Sequence, residues 1–304
     1  MPEILALPPE TLEPSFQGEL LGQEGLKLAF TRWEHPSPKG RIAISHGFGE
    51  HGQRYAHTAR WLHDLGWSVS ALDHRGFGRS QGARGDANGI RGFMEDWTAF
   101  LRQERLHDGT DLPLVALGHS FGGLVALLTA LWHPDAQDGL ILSSPAVVLR
   151  AFSWPLRLAH RLLTLLAPHR PVHLGGGKAE VCSDPILVQR YWADPLCHRT
   201  ITAAYIAAMQ EGSHQLLPMG AELDRPMLVL DAGEDTVTNP DAADPLWSGV
   251  RPELLERHRL AGFRHEVFHD LHRAEAQALC ETWLSRFSSH RNPPAIPSTS
   301  MESR

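Results

Sequence analysis

The chain has 304 residues, of which 42% are hydrophobic and 21% charged, a composition typical of a globular protein with a sizeable core. Its formal net charge of −7 argues against nucleic acid as a partner. The 3 cysteines, Cys182, Cys197 and Cys280, lie far apart without Cys-x-x-Cys spacing. They indicate a reducing compartment and give no metal signature.

No segment has the pattern of a targeting signal or of a membrane span. The first ten residues lack the basic region and the long apolar core of a signal peptide. No apolar run approaches the ~20 residues that a spanning helix needs. We therefore expect a cytoplasmic protein, and its oligomeric state stays open.

The chain begins with an irregular segment and a hairpin. Residues 1–17 are rich in proline and predict irregular structure. Strand-like runs at 19–21 and 26–33 flank the turn Gln23-Glu24-Gly25 and predict an antiparallel hairpin. After the turn-rich residues 35–40, strands and helices alternate, which is the pattern of a parallel sheet.

The alternation continues to the end of the chain with one interruption. Predicted parallel strands lie at 41–45, 68–72, 114–117, 139–144, 227–230 and 257–260. Predicted helices follow up to about residue 65, at 92–107, after residue 120, within 241–248 and at 268–287. Between about 146 and 221 no strand-like run occurs, and Leu, Ala, Arg and His recur in helical spacing.

These elements predict an α/β protein with a mostly parallel eight-stranded sheet and helices on both faces. Residues 18–145 and 222–287 would form the core, and residues 146–221 a helical cap inserted after the strand that ends near Ser144. The insertion is too long for a plain loop. Because ligands bind at the carboxyl ends of parallel strands, the cap would be a lid over the site. Residues 288–304, rich in Ser and Pro, predict a disordered tail.

The run from Leu114 to Leu128 reads as a buried strand, a sharp turn and an apolar helix. Gly118 and Gly122 flank Ser120 in the Gly-x-Ser-x-Gly pattern of a nucleophile elbow. The flanking positions must be nearly free of side chain, because strand and helix come close together there. The pattern predicts the α/β-hydrolase fold with Ser120 as its nucleophile.

A serine nucleophile needs a base and an acid, which in this fold follow in the order serine, acid, histidine. Asp235 lies in the loop after a late strand and is the best candidate for the acid. Asp231, near the strand end, and Glu234 are alternatives. His265 follows the last strand and is the candidate base.

The reaction also needs two backbone donors for the oxyanion. One is the N–H of Phe121, directly after the serine. The other is expected from the glycine-rich loop 46–50, after the first parallel strand, with Phe48 as the donor.

A second motif competes with this interpretation. Residues 265–269 match His-Glu-x-x-His, a zinc pattern that requires both histidines on one helix face. Gly262, just upstream and after a strand, favours a loop at His265 instead. The zinc hypothesis also leaves Ser120 and Asp235 unexplained.

Three blocks, at residues 46–55, 73–82 and 118–123, resemble the signatures of monoacylglycerol lipases and of L2-type lysophospholipases. Residues 232–235 and 264–266 are similar to the bacterial lysophospholipase members. The resemblance implies a serine hydrolase that cleaves carboxylic esters of single-chain lipids through an acyl-enzyme, without a cofactor. It also implies a triad and an oxyanion hole at the residues already named: Ser120, Asp235 and His265, with Phe48 and Phe121.

The resemblance further implies residues for the substrate's glycerol end. Glu50, Arg54 and His119 match polar positions that meet glycerol in monoacylglycerol lipases. The animal enzymes carry a second histidine three residues after the catalytic one. Here that position is Phe268, and His269 follows it.

The cap holds one strongly amphipathic stretch, residues 153–166. Its polar residues Arg157, His160, Arg161 and Thr164 fall on one helical stripe, and the remaining face is apolar. Such a helix would line an acyl tunnel, touch a membrane surface transiently, or pack on the body of the protein. These three alternatives stay open.

Other functions on the same fold also stay open. A general carboxylesterase or thioesterase would use the same triad. An aminopeptidase would need acidic cap residues facing the free amine, for which Glu180 and Asp184 are available. A non-catalytic binding protein ranks last, because the chain has every member of the triad.

Overall fold

The computed structural model describes residues 10–109, 111–151, 153–175 and 180–288. Residues 1–9 of the predicted irregular segment and residues 289–304 of the predicted tail lie outside the described residues. The strands of the described residues are, in chain order, β1 (Phe16–Leu21), β2 (Lys27–Trp33), β3 (Arg41–Ser45), β4 (Ser68–Leu72), β5 (Leu114–His119), β6 (Gly139–Ser143), β7 (Val172–His173), β8 (Thr200–Ile201), β9 (Met227–Ala232) and β10 (Leu255–Leu260).

Within the described residues, eight strands form one sheet in the order β1-β2-β4-β3-β5-β6-β9-β10. The hairpin strands β1 and β2 pair antiparallel, and β2 joins β4 antiparallel. All other neighbours in this sheet are parallel. The predicted hairpin and the mostly parallel eight-stranded sheet are confirmed.

The α-helices of the described residues are α1 (Ala56–Asp64), α2 (Arg91–Leu106), α3 (Phe121–Trp132), α4 (Trp154–Leu166), α5 (Pro185–Ala193), α6 (Ala203–Leu216), α7 (Asp244–Gly249) and α8 (Arg273–Ser288). Helices cover both faces of the sheet. Because successive side chains of a strand point to opposite faces, each central strand packs against both layers of helices. In β5, Leu114 and Ala116 join an apolar cluster with α2 and α3. Val115 and Leu117 join a second cluster with α1 and α8.

Two expectations about secondary structure are wrong in detail. The segment 146–221 contains the helices α4 to α6, but β7 and β8 also pair antiparallel there. Strands of two residues are too short to show a period-2 pattern in the sequence. The last helix begins at Arg273 rather than at 268, because residues 267–269 form a 3-10 turn.

The carboxyl ends of the parallel strands meet at one edge of the sheet, which is where ligands bind in this class of fold. β3 ends at Ser45, β5 at His119 and β9 at Ala232. The loops that follow these three strands, together with the loop after β10, carry the candidate site. Among the described helices, none is both long and apolar enough to cross a bilayer.

Candidate active site

The turn between β5 and α3 holds Ser120 in a strained conformation. Its φ of 51° and ψ of −117° lie outside the regions that ordinary side chains favour. Its N–H donates to the Ser143 carbonyl over 3.0 Å, which ties the turn to the neighbouring strand. A Cβ on Gly122 would lie 2.0 Å from the Ser45 carbonyl oxygen, and one on Gly118 2.7 Å from Gly123 Cα. Both glycines of the motif are therefore needed for close approach, as the sequence predicts.

The structure brings the three residues of the predicted triad together. His265 Nε2 lies 2.8 Å from Ser120 Oγ, and His265 Nδ1 lies 2.7 Å from Asp235 Oδ2. With Nδ1–H donating to the carboxylate, Nε2 is free to accept the serine proton. Ser120, His265 and Asp235 are all buried, with at most 6% of each exposed. This geometry is that of a nucleophile, a base and an orienting acid.

The loop after β9 holds Asp235 as an ionised carboxylate. The N–H groups of Val237 and Thr238 donate to Oδ1 over 2.7 and 2.8 Å, and Thr238 Oγ1 donates to Oδ2 over 2.7 Å. Burial by itself raises the pKa of Asp235, but His265 and the Thr238 donors outweigh it and lower the pKa below its usual range. The acid is therefore charged throughout the neutral pH range.

The structure also excludes the two alternative acids from this geometry. The Asp231 carboxylate accepts a hydrogen bond from Arg257 Nε over 2.6 Å and is held there, away from the imidazole of His265. The Glu234 side chain is exposed at the surface. Asp235 alone of the three candidates bonds to His265.

Both predicted oxyanion donors belong to segments next to the serine. Phe121 is the first residue of α3, so its N–H has no carbonyl one turn earlier in the helix to bind. The loop with Phe48 packs directly on the serine, because a Cβ built on Gly47 would lie 3.3 Å from Ser120 Cβ. A helix N-terminus at Phe121 adds a partial positive charge at the same place.

The side chains of Glu50 and Arg54 are buried, and their charged groups already have partners within the protein. Glu50 Oε1 accepts from the Gly47 N–H over 2.7 Å and from the Tyr55 hydroxyl over 2.9 Å, and Oε2 pairs with Arg54. Arg54 also pairs with Glu266 over 3.3 Å. Burial alone would raise the pKa of Glu50, but Arg54 holds it below its usual range. The network therefore fixes the loop that carries Phe48.

The histidines near the triad differ in their surroundings. His119 Nδ1 lies 3.1 Å from the Ser143 carbonyl oxygen, and its ring lies 5.0 Å from the ring of His265. His269 is buried with its ring 5.0 Å from that of Tyr55, and desolvation lowers its pKa well below the usual value. Phe268 is buried, and its ring stacks on that of Trp61 with 6.1 Å between the ring centroids.

Residues of the segment 146–221 pack against both predicted oxyanion residues. The ring of Tyr205 lies 5.3 Å from Phe48 and 4.9 Å from Phe121. The His198 N–H donates to the Gly49 carbonyl over 3.1 Å, and its ring stacks on Phe77 at 4.9 Å. The segment thus forms one wall beside the serine.

The His-Glu-x-x-His motif does not have the geometry of a zinc helix. His265 lies in a loop, and only residues 267–269 form a single 3-10 turn. Both ring nitrogens of His265 have partners in the triad, and the Glu266 carboxylate pairs with Arg54. The motif matches in sequence spacing alone.

The structure also shows what Asp184, one of the two acidic cap candidates, does. It is fully buried at the N-terminus of α5, where it accepts from the Ile186 N–H over 2.9 Å. Its other oxygen pairs with Arg273 over 3.0 Å. Asp184 therefore caps a helix and does not face the serine as a partner for an amine.

Two contributors to the site were missed by the sequence analysis. Thr238 donates two hydrogen bonds to Asp235, and an acid followed three residues later by threonine is a common turn pattern that could have indicated it. Glu266 was considered only as part of the zinc motif. Its pairing with Arg54 joins positions 212 residues apart, which no local pattern indicates.

Comparisons with known proteins give this geometry a family context. The model of the family described as serine aminopeptidase, S33 matches residues 36–272. A monoacylglycerol lipase of Mycolicibacterium smegmatis is 32% identical over 252 residues, covering 82% of this chain and 89% of the relative. Phospholipase YtpA of Bacillus subtilis is 27% identical over 80% of this chain and 94% of its own length.

Among solved structures, a soluble variant of monoglyceride lipase from Saccharomyces cerevisiae in complex with a substrate analog superposes with a TM-score of 0.80. The match covers 92% of this chain and 97% of the yeast chain at 20% identity. At this identity the likeness establishes the fold, which is that of the α/β-hydrolases.

Proposed function

Because the chain belongs to the serine aminopeptidase S33 family and is an α/β-hydrolase of the monoacylglycerol lipase type, we propose that Ser120 attacks carboxylic esters of single-chain lipids. Monoacylglycerols and lysophospholipids are the substrate classes. The observation that carries the proposal is the Ser120–His265–Asp235 array, with hydrogen bonds of 2.8 and 2.7 Å, on a strained elbow. The names of the relatives support the choice of a lipid ester.

The triad divides the reaction into two steps. His265 Nε2 accepts the proton of Ser120 as Oγ bonds to the acyl carbon, and Asp235 stabilises the resulting imidazolium. His265 then gives that proton to the leaving alcohol, and the carbon–oxygen bond of the ester breaks. In the second step His265 takes a proton from water as the water oxygen bonds to the acyl carbon. The bond between that carbon and Ser120 Oγ then breaks, His265 returns the proton to Oγ, and the fatty acid leaves.

The proposed oxyanion hole is the pair of N–H groups of Phe48 and Phe121. They would stabilise the negative charge that develops on the carbonyl oxygen in both steps, an effect worth about 3 kcal/mol per donor. Glu50 accepts from Gly47 N–H in the same loop as Phe48. We assign to Glu50 and Arg54 the positioning of this loop, since their charged groups are buried and paired with each other. His119, beside His265, stays a candidate for contact with the alcohol.

A lipid panel tests the proposed activity. We expect the wild type to release fatty acid from monoacylglycerol or lysophosphatidylcholine faster than from short p-nitrophenyl esters, and Ser120→Ala to lose at least about 10⁴-fold in kcat/KM. Ser248→Ala, at an exposed serine of α7, is the matched control. Preference for the short esters would indicate a general carboxylesterase, and full activity of Ser120→Ala would refute the triad.

An aminoacyl p-nitroanilide in the same panel tests the activity that the family's description names. We expect no Ser120-dependent release from it. The Asp184 carboxylate caps α5 and pairs with Arg273. It is therefore not available to bind the free amine of an aminopeptidase substrate.

We propose that residues 146–221 form the lid over this site and that α4 meets the lipid surface. Within the described part of the chain, α4 has no buried residue. Its apolar side chains point outward, with Trp154 71%, Leu162 49% and Leu166 76% exposed. The polar stripe that the sequence predicts lines a cavity of about 640 Å³ shared with α6. An apolar face turned to solvent supports a lipid surface as its occupant.

Sedimentation with phosphatidylcholine vesicles tests this assignment. We expect the double variant Leu162→Gln/Leu166→Gln to bind vesicles at least about tenfold more weakly than the wild type, because each buried leucine contributes on the order of 1 kcal/mol or more. The matched control is Leu21→Gln/Leu106→Gln, at two leucines 70% and 79% exposed elsewhere. Equal binding by all three proteins would refute α4 as the contact.

A further inference from the structure

Three side chains with metal-binding atoms meet outside the triad, where the loop after β3 touches the chain after α5. They are His51, Asp194 and Cys197, and their ligand atoms all lie within 4.8 Å of one another. His51 Nε2 is 2.8 Å from Asp194 Oδ2, and the Cys197 N–H donates to the Asp194 carbonyl over 3.2 Å. His51 and Asp194 are 143 positions apart, so the fold itself assembles the group.

The donor set is one that zinc prefers. Imidazole nitrogen, carboxylate oxygen and thiolate sulfur bind Zn²⁺ at about 2.0 to 2.3 Å, which places two ligands of a tetrahedral site about 3.3 to 3.6 Å apart. The nitrogen and oxygen are already closer than this, and the sulfur, within 4.8 Å of both, needs a shift of no more than about 1.5 Å. A metal ion would replace the proton that His51 and Asp194 share. Because the trio supplies three ligands, water would take the fourth position.

The local charge also favours a cation. Arg54 lies nearby but is paired with both Glu50 and Glu266, so these three residues together carry one net negative charge. His51 is 3% exposed, so one ligand is held in place by packing.

We propose that His51, Asp194 and Cys197 bind one Zn²⁺ ion, which joins the loop of the oxyanion donor Phe48 to the cap segment. His198, next to Cys197, already donates to Gly49 in that loop over 3.1 Å. The ion would reinforce this contact from the other side. It is separate from the triad and is required for no step of ester hydrolysis.

Titration of the metal-free protein with Zn²⁺ and with Co²⁺ tests the site. We expect one Zn²⁺ per chain, an increase in Tm, and a near-ultraviolet thiolate-to-cobalt charge-transfer band. Cys197→Ser should abolish the band and weaken Zn²⁺ binding at least about tenfold, as should His51→Ala and Asp194→Asn. Cys280→Ser, at a buried cysteine of α8, is the control and should keep both properties.

Two outcomes of the Zn²⁺ titration would contradict the proposed site. Binding of Zn²⁺ that persists unchanged in Cys197→Ser, without a thiolate band, would place the metal on surface histidines and overturn the proposal. Absence of stoichiometric binding would overturn it as well. Each variant's Tm without metal shows whether it is folded, and none of these readouts depends on which ester the protein cleaves.

Discussion

Two regions of the molecule differ in how they are built: the sheet wall, which holds Ser120, Asp235 and His265, and the outer face of helix α4, which we call the cap wall. On the sheet side, Ser120, Asp235 and His265 are buried, and each is hydrogen-bonded to another member of the triad. On the cap side, α4 presents no buried residue and exposes large apolar side chains such as Trp154 and Leu165. The sheet wall is packed like a protein core, whereas the cap wall is an exposed apolar surface of the kind that binds a partner.

This difference in burial predicts which residues can be substituted without loss of activity or stability. The distances of 2.7 and 2.8 Å in the predicted triad depend on a turn and two loops that are anchored at the ends of sheet strands. The cap segment contributes ring contacts, such as those of Tyr205 with Phe48 and Phe121, and a cavity between α4 and α6. Changes in the sheet wall should therefore damage chemistry or stability, whereas changes in α4 should alter lipid contact alone.

Among the variants that compare these two regions, the largest effect is expected from Asp235→Asn. The amide keeps the shape of the carboxylate but cannot stabilise the imidazolium of His265, so kcat should fall about 10³- to 10⁴-fold. Glu234→Gln, one residue earlier and exposed, should leave kcat unchanged. Steady-state kinetics on the best ester of the panel measure both. A similar loss in both variants would contradict the assignment of Asp235 as the acid.

A pair of glycines compares the two walls directly. Gly122→Ala places a Cβ 2.0 Å from the backbone oxygen of Ser45, whereas a Cβ on Gly175, in the cap segment, meets nothing within 4 Å. We expect the free energy of unfolding to fall by about 3 kcal/mol or more in Gly122→Ala and by less than about 0.5 kcal/mol in Gly175→Ala. Denaturant titration measures the two values, and equal losses would show that the elbow is not tightly packed.

Glu50→Gln should cost about 2 kcal/mol at pH 7, because Arg54 loses one of its two carboxylates but keeps Glu266. Arg54 lowers the pKa of Glu50 from its ordinary 4.5 in the folded chain. A carboxylate of this kind stabilises the fold above its ordinary pKa, and the contribution is lost as the pH falls toward the folded pKa.

The difference in unfolding free energy between wild type and Glu50→Gln should therefore be full at pH 7 and shrink below pH 4.5. Denaturant titrations at a series of pH values measure it. Glu253→Gln, at an exposed glutamate, should show no such dependence. A difference that stays constant with pH would mean that the charge of Glu50 does not stabilise the fold.

The smallest effect is expected in the cap. Leu162→Gln/Leu166→Gln should change the free energy of unfolding by less than about 0.5 kcal/mol, because both side chains are exposed. Its kcat on a short water-soluble ester should equal that of the wild type. A marked loss of stability would show that α4 is packed against the body and would remove the contrast between the walls.

Much of the sheet wall could be predicted because its signals are local. Gly118, Ser120 and Gly122 lie within five residues, and the steric demand of the elbow acts on those residues alone. The parallel character of the sheet and the loop positions of Asp235 and His265 follow from the alternation of strand and helix along the chain. The sequence left Asp231 and Glu234 open, and only the bond from His265 selected Asp235.

The remaining features depended on contacts between distant residues. The sequence alone determined the α/β class, the candidate nucleophile and the loops that carry its candidate partners, since each follows from the period of a strand or from steric limits at a turn. Only the tertiary structure decided that Glu266 pairs with Arg54, that α4 turns its apolar face outward, and that His51 meets Asp194. Such pairings depend on how whole helices and strands pack together. No local sequence pattern indicates which distant side chains that packing brings into contact.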